Sequence, residues 1–224
     1  MCESLFTDKD REDFKPYVKK RFDRELPLHD AIVCGYLDVC RRPLAGIGKQ
    51  ILSPKTPTVV REAYIGERFI PKIDDLINED VNFDNWHEAL CADIKVYYSE
   101  NGYNSFTVGK AQKWVNMAMK YIVLYNSEYS VKLQKFVQVF HVPIDRYIAH
   151  DIACEIRWLP CIGHRVFTNL DDSFDADKRN YSWSKIDDYQ EYLSCQADLR
   201  KVLSGIPPLR WEYDCWLRAK GLLK

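Results

Sequence analysis

One stretch of the chain, residues 109–125, constrains the fold more than any other. Most positions in it are apolar, and its polar residues include Lys113, Asn116 and Lys120. A helix that is apolar on all sides belongs at the centre of a protein, because each of its faces needs a packing partner. The three polar residues are spaced three and four apart, so they form one stripe on that helix. We expect this stripe to face either solvent or an internal cavity lined for a ligand.

Helical spacing also dominates the rest of the sequence, and no convincing alternating strand of six or more residues is present. With 224 residues and 46% hydrophobic content, the chain is long enough to bury a sizeable core. We therefore predict a compact all-α protein of two packed lobes with a central helical hairpin. The lobes would be 1–80 together with 182–224, and 81–165, within a single helical domain over 1–224.

Capping residues and prolines predict where the helices begin and end. Thr7 is expected to cap the first helix, Pro16 to bend or break it, and Pro71 to break another. Asp84 or Asn85, and Ser182 or Ser184, are expected to cap two later helices. The predicted helices cover about 7–24, 28–42, 58–78 in two pieces, 84–100, 109–125, 127–139, 143–158, 182–204 and 209–220.

The charge balance argues against a strongly basic protein. The chain carries 32 basic and 33 acidic residues, so it has no overall electrostatic attraction for nucleic acid or membranes. The clearest local basic patch is 109–135, which holds five lysines and one glutamate. A site for a polyanion would therefore have to be local, and we place it there.

The cysteines and the first residues bear on the compartment. Eight cysteines are present with no Cys-x-x-Cys pair, a pattern typical of reduced thiols in a core rather than of disulfides or a zinc site. Residues 1–10 are polar and acidic, and no apolar run is long enough to span a bilayer. We expect a cytoplasmic protein that does not contact a membrane, with no metal and no cofactor.

Two residues could carry amine chemistry. Lys113 is expected within the first turn of the apolar helix, where the helix dipole, Lys110, Lys120 and loss of water would favour the neutral, nucleophilic amine. Asp145 follows Pro143 just before another predicted helix. Its side chain can cap that helix, a role worth about 1 kcal/mol. The cap would also fix the carboxylate in place, which is compatible with catalysis.

The region 86–152 resembles the helix-hairpin-helix DNA glycosylases. The likeness is carried by Val108-Gly109-Lys110-Ala111 in a helical hairpin, by the helix that bears Lys113, and by Pro143-Ile144-Asp145-Arg146 at the start of another helix. Phe106-Thr107-Val108-Gly109 stands where this family usually has Pro-Gly-Val-Gly. Among the family members, the sequence is most similar to the archaeal-type 8-oxoguanine DNA glycosylases.

The resemblance implies a function and a set of site residues. Lys113 would be the nucleophile and Asp145 the catalytic carboxylate of a base-excision glycosylase and lyase. The substrate would be double-stranded DNA with a flipped, damaged base similar to 8-oxoguanine. Backbone amides of the hairpin would bind DNA phosphate, and the residues assigned to DNA binding are Val108, Gly109, Lys110, Lys120 and Arg146.

Two further residues and two alternative functions remain open. Asn116 and Trp183 are candidates for the base pocket, although a tryptophan at the start of a helix more commonly packs as an apolar staple. The first alternative function is a non-enzymatic all-helical module that binds a protein or nucleic acid. In that case Lys113 is an ordinary surface lysine and Asp145 an ordinary cap. The second alternative is an unrelated enzyme that uses the same polar stripe.

Overall fold

The computed structural model of the protein describes residues 5–40, 56–104, 106–145, 148 and 183–222. Within these ranges the chain forms α-helices and short helical turns and no β-strand, which confirms the prediction of an all-α fold. In chain order the α-helices are α1 (Asp8–Phe14), α2 (Leu28–Cys40), α3 (Pro57–Tyr64), α4 (Ile70–Asn78), α5 (Phe83–Glu100), α6 (Val108–Tyr125), α7 (Ser127–Leu133), α8 (Tyr189–Leu203) and α9 (Pro208–Ala219).

Helix α6 is the centre of the fold, as its apolar sequence predicts. Each of its residues is buried. Helix α2 packs directly along it, and the indole nitrogen of Trp114 donates a hydrogen bond to the Ile32 carbonyl at 2.9 Å. This close approach depends on Gly35, because a Cβ atom there would lie 2.7 Å from the Ala118 backbone nitrogen.

The terminal helices α1 and α9 cover another part of α6. The Phe14 ring lies 5.9 Å from the Tyr121 ring and 4.6 Å from the Trp216 ring, measured between centroids. The Tyr213 hydroxyl donates to the Asp10 carbonyl at 2.7 Å, and Asp10 also accepts from the Arg210 guanidinium at 2.7 Å. These contacts bring residues near the two ends of the sequence together against the central helix.

A second apolar cluster lies at the beginning of α6. It joins Val108 to helix α8 and to the segment 141–145, which has no regular secondary structure, through Val142, Ile144, Tyr192 and neighbouring side chains. The clusters are linked by Trp183 and Tyr189, whose rings pack against both. The second cluster therefore holds α8 and the segment 141–145 at the same end of α6. The proposed division into lobes stays a prediction.

Several predicted helix boundaries are wrong for identifiable reasons. The first helix does not reach residue 24, because it ends at Phe14 and Pro16 lies in a single 3-10 turn, Lys15–Tyr17. The amide of Asn85 donates to the Asn82 side chain at 3.1 Å, so the cap of α5 is Asn82 and not Asp84 or Asn85. Likewise α8 is capped by Asp188, not by a serine at 182 or 184.

Pro71 does not break the chain into separate pieces. Helices α3 and α4 are joined by a π-helical turn, Ile65–Phe69, and the Ile70 amide donates to the Ile65 carbonyl. Pro71 then lies in the first turn of α4, where its missing N–H costs no intrahelical hydrogen bond. The wider π turn lets the helical path continue through the proline.

The helix predicted at 143–158 does not begin where the sequence suggested. Residues 143–145 are described and have no regular secondary structure, Ile148 is helical, and the rest of the predicted helix lies outside the described residues.

Among the described helices, none combines the length and the apolarity required to cross a bilayer.

The glycine contact between α2 and α6 gives a stability test. We expect Gly35→Ala to lower the free energy of unfolding by about 1–3 kcal/mol, because the new methyl group meets backbone atoms of Trp114 and Ala118. Urea unfolding measures this change.

Gly66→Ala is the matched control for Gly35→Ala. No atom lies within 4 Å of a Cβ built at Gly66, so this variant should be unchanged or more stable by about 0.4–1 kcal/mol. Equal destabilisation of both variants would contradict the close packing of α2 on α6.

Candidate functional site

The start of α6 fixes the position of Lys113. The Thr107 side chain caps the helix by accepting from the Lys110 amide at 3.3 Å, and its hydroxyl donates to the Ser184 carbonyl at 2.6 Å. Val108 is therefore the first helical residue, and Lys113 lies in the second turn rather than the first. The helix dipole acts mainly on the first turn, so it favours the neutral amine of Lys113 less than it would at the first-turn position expected from the sequence.

Lys113 and Asp145 form an ion pair. The Lys113 Nζ atom lies 2.9 Å from Asp145 Oδ2, with 11% and 16% of the two side chains exposed. Asp145 Oδ1 accepts from the Ile148 amide at 3.1 Å. The prediction that the two residues converge is confirmed. The bond from the Ile148 amide has the spacing of a helix cap, but the helix itself lies outside the described residues apart from Ile148. One carboxylate oxygen makes each contact.

The indole of Trp183 completes the surroundings of the amine. Its ring centroid lies 4.6 Å from Lys113 Nζ, which is a cation–π distance. The ammonium is therefore placed between a carboxylate and an aromatic face. Of the two base-pocket candidates, Trp183 is at the site.

Asn116 does not line a pocket beside Lys113. Its side chain is buried, its oxygen accepts from His87 at 2.9 Å, and its nitrogen donates to Gln112 at 3.0 Å and to Tyr192 at 2.8 Å. The assignment of Asn116 to a base pocket is wrong, because its amide is already satisfied within the protein.

Lys120 is also unable to reach DNA. Its side chain is fully buried, and Nζ lies 2.6 Å from Glu212 Oε2. Burial raises the pKa of Glu212, against the opposing effect of the neighbouring ammonium. Three aromatic rings surround the lysine at 4.5–5.7 Å, those of Phe14, Tyr213 and Trp216. The assignment of Lys120 to DNA binding is therefore wrong.

The first amides of α6 are occupied by the chain itself. Val108 N donates to Asp187 Oδ1 at 3.2 Å, and Gly109 N donates to the Ile186 carbonyl at 2.8 Å. A Cβ at Gly109 would lie 2.0 Å from the Trp183 carbonyl oxygen, so the glycine is needed for this close packing.

These contacts contradict the expectation that the first amides of α6 bind DNA phosphate. With their amides bonded inside the protein and Asp187 beside them, Val108 and Gly109 offer no anion site here. The Lys110 amide donates to its own cap, and the Lys110 side chain is only 6% exposed. The assignment of Val108, Gly109 and Lys110 to DNA binding is therefore wrong, while Arg146 lies outside the described residues.

Two glutamines hold the segment that carries Asp145. Gln196 accepts from the Val142 amide at 2.9 Å and donates to the Val142 carbonyl at 2.8 Å. Gln112 makes the same pair of bonds with Ile144, at 3.2 Å from its amide and 3.0 Å to its carbonyl. Both glutamines are fully buried. We call this arrangement the glutamine clamp.

Two buried histidines lie next to the clamp. His87 and His141 have ring centroids 4.3 Å apart. The Tyr192 hydroxyl is 3.0 Å from His141 Nδ1, and Asp84 accepts at 2.8 Å from His141 Nε2. Arg200 also donates to Asp84, at 2.5 and 3.0 Å. Asn116 also donates to the Tyr192 hydroxyl, at 2.8 Å, which leaves the tyrosine proton available for His141 Nδ1, as a neutral imidazole requires.

The histidine surroundings shift several pKa values. Burial lowers the pKa of His141 to about 4 and that of His87 well below its usual range. Burial alone would raise the pKa of Asp84, but hydrogen bonds from His141 and Arg200 hold it well below its ordinary value. Asp84 therefore stays ionised beside a neutral His141.

Sequence reasoning missed most of this polar interior. A usable signal was present only for residues on α6, where Gln112 interrupts an apolar helix just as Lys113 and Asn116 do. His87, Gln196 and Glu212 belong to helices of ordinary amphipathic composition, so nothing local marks them as partners of α6.

Other candidate chemistry is not found in the described ranges. No group of three His, Cys, Asp or Glu side chains there is arranged to hold a metal ion. Four cysteines in these ranges are buried, which fits the prediction of core thiols: Cys34, Cys91, Cys195 and Cys215. A surface hollow of about 330 Å³ lies between α4 and α5 near Trp86, away from Lys113.

Comparison with known proteins gives no relative: no family model matches the chain, and no curated protein or solved structure matches it significantly.

The buried histidines predict how stability depends on pH. An unfolded histidine titrates near pH 6.5, whereas folded His141 titrates near 4, so on acidification the unfolded chain takes up protons first. We expect the free energy of unfolding to be constant above about pH 6.5 and to fall by about 3 kcal/mol towards pH 4 from His141 alone. Urea unfolding at several pH values measures this loss.

Two variants isolate the contribution of His141. His141→Gln should be less stable at pH 7.5 and should show a flatter pH dependence than the unchanged protein. His29→Gln is the control, because His29 is half-exposed and pairs with Glu62 at 2.7 Å, so the pH dependence should persist. An unchanged slope in His141→Gln would contradict the assignment of a neutral, buried imidazole.

Proposed function

We propose that this protein is a DNA base-excision glycosylase and lyase that uses Lys113 as its nucleophile and Asp145 as its catalytic carboxylate. The observation that carries the proposal is the 2.9 Å contact between Lys113 Nζ and Asp145 Oδ2 in a largely buried setting. An amine that forms covalent intermediates needs a nearby group to accept its proton, and Asp145 is placed to do so. The resemblance described above supplies the substrate class.

The proposed reaction is a sequence of proton and bond changes that begins at the Lys113–Asp145 contact. Asp145 takes a proton from the Lys113 ammonium across their hydrogen bond, which leaves a neutral amine. That nitrogen forms a bond to sugar C1′ while the N-glycosidic bond breaks, and the electron pair of the glycosidic bond leaves with the base, which then takes up a proton. The attached nitrogen, now a secondary ammonium, loses one proton to solvent. Its lone pair then forms a C=N bond as the C1′–O4′ bond breaks, and O4′ takes up a proton, which gives a protonated Schiff base. Removal of a C2′ proton then expels the 3′ phosphate.

Trp183 supports the handling of a flipped base. Its indole already packs against Lys113 Nζ at 4.6 Å, so a base delivered to the amine would meet an aromatic face. Stacking on such a face is worth about 1–3 kcal/mol per base. An 8-oxoguanine-like lesion remains the proposed substrate.

A non-enzymatic binding module is the second candidate function. It is favoured by the amides of Val108 and Gly109 at the start of α6, because they are hydrogen-bonded within the chain and so are not available to bind DNA phosphate. The nearly neutral overall charge points the same way, because tight DNA binding normally requires several phosphate contacts from cationic side chains. In this case the Lys113–Asp145 pair only stabilises the fold.

Borohydride trapping separates the two functions. With duplex DNA that carries an abasic site or 8-oxoguanine, we expect a covalent adduct that disappears in Lys113→Gln. In Asp145→Asn the rate of adduct formation should fall by about 10²–10⁴-fold, because the amine loses its proton acceptor. Gel analysis of the reduced complex gives the rates.

The control for trapping is Lys132→Gln. Lys132 is an exposed lysine paired with Glu128 at 2.6 Å, so it also places an amine beside a carboxylate, but in contact with solvent. This variant should trap DNA as the unchanged protein does. No adduct with either DNA, or an adduct that survives in Lys113→Gln, would reject the proposed reaction and leave the binding module.

Substitution of Trp183 tests base recognition separately. Trp183→Ala should slow release of the damaged base by about 5–150-fold, the equivalent of one lost stacking contact. The effect on trapping of an abasic site, which has no base to stack, should be smaller. Trp183→Phe keeps an aromatic ring, so its rate of base release should lie between those of the unchanged protein and Trp183→Ala. Equal losses on both substrates would show that Trp183 acts on the fold rather than on the base.

A further inference from the structure

The glutamine clamp fixes a segment that has no regular secondary structure. Residues 141–145 lie inside the protein without neighbouring strands, so their backbone groups need other partners. Each glutamine amide provides one acceptor and one donor, which is what the edge of a neighbouring strand would offer to one residue. The clamp thus bonds the backbone of Val142 and then that of Ile144.

Gln112 differs from Gln196 in its connections. It is the residue before Lys113 on α6, and it grips the residue immediately before Asp145. Its nitrogen also donates to the Gly109 carbonyl at 2.9 Å, and its oxygen accepts from Asn116 at 3.0 Å. The amide nitrogen and the amide oxygen of Gln112 are therefore each also bonded to α6 itself. Gln196, by contrast, grips Val142 from helix α8.

These contacts form a short path between the two members of the ion pair. From Lys113 the path runs one residue along α6 to Gln112, across two hydrogen bonds to Ile144, and one residue on to Asp145. A buried amide with all its bonds made has few alternative positions, since any shift would leave a polar group unsatisfied. The distance between the Lys113 amine and the Asp145 carboxylate is thereby tied to the geometry of Gln112.

We propose that Gln112 is the positioning residue of this site: by clamping the Ile144 backbone it holds the Asp145 carboxylate at the Lys113 amine. The inference rests on the proposed function for its catalytic consequence, but its structural part concerns the ion pair alone. Gln112 does not touch the reacting atoms. Its effect comes entirely through the placement of Asp145.

The test compares Gln112→Met with Gln196→Met. Both variants remove one clamp amide and keep a side chain of similar length. Because Gln112→Met also loses the bonds to Gly109 and Asn116, its loss of stability should be larger, and both trapping rates are corrected for the folded fraction. Trapping on abasic DNA should slow by about 10–100-fold in Gln112→Met, because a displaced proton acceptor is costly to the reaction. In Gln196→Met the trapping rate, corrected for the folded fraction by urea unfolding, should fall by less than about threefold. The reason is that Gln196 contacts Val142, which lies two residues further from Asp145 than Ile144 does.

A pH profile distinguishes positioning from general loosening. In Gln112→Met the pH dependence of the trapping rate should change towards that of Asp145→Asn, because both variants deprive Lys113 of its partner. In Gln196→Met the profile should match the unchanged protein. Equal slowing in the two methionine variants, or an unchanged profile in Gln112→Met, would overturn the assignment.

A measurement without DNA keeps this inference separate from the proposed reaction. In protein with isotope-labelled lysine, the ammonium signal of Lys113 is assigned by its loss in Lys113→Gln. In Gln112→Met we expect the Lys113 signal to move to the position that it has in Asp145→Asn. In Gln196→Met we expect it to stay at its position in the unchanged protein. If no DNA adduct forms but the signal moves, the reaction fails and the positioning role stands. A signal that stays in place in Gln112→Met rejects the role.

One further variant covers the case in which Gln112→Met does not fold. Gln112→Glu keeps the length of the side chain and an acceptor for the Ile144 amide, but it loses the donor to the Ile144 and Gly109 carbonyls. The same trapping, pH and ammonium measurements apply, with the same expected direction and the same contradicting results.

Discussion

The burial of α6 together with its polar side chains is the constraint on which the rest of the structure depends. A buried ammonium or amide without partners costs several kcal/mol, so each polar residue on this helix needs a group brought to it from elsewhere. Asp145 meets Lys113, His87 and Tyr192 meet Asn116, and Glu212 meets Lys120. Polar pairing as well as apolar packing therefore places helices α5, α8 and α9 and the segment 141–145.

This constraint explains which parts of the molecule could be predicted from the sequence. The helical class and the central position of α6 follow from local composition. The meeting of Lys113 with Asp145 was predicted from the resemblance and from the cap position. The solvent or cavity expected beside Lys120 and Asn116 was wrong, because their partners, Glu212 and Tyr192, lie on distant helices whose own sequences look ordinary. Pairing between distant helices leaves no periodic signal.

The start of α6 shows a second limit of local reasoning. A glycine next to a lysine at a helix start is a reasonable anion site when the helix is considered by itself. Here Gly109 instead allows the Trp183 carbonyl to approach closely, and Ile186 and Asp187 accept the amides. The same backbone feature therefore serves packing within the chain. Only the position of 183–187, which sequence spacing does not give, decides between the two uses.

The ion pair at Lys113 sets opposing requirements for stability and for reaction. Pairing with Asp145 and contact with Trp183 stabilise the charged amine, while nucleophilic attack needs the proton to leave and a substrate to enter. A carboxylate held rigidly at 2.9 Å meets the first need, because proton transfer requires hydrogen-bond contact. Asp145 is anchored by the Ile148 amide and, through Ile144, by Gln112, so in the proposed reaction the proton acceptor would keep its place at the Lys113 amine.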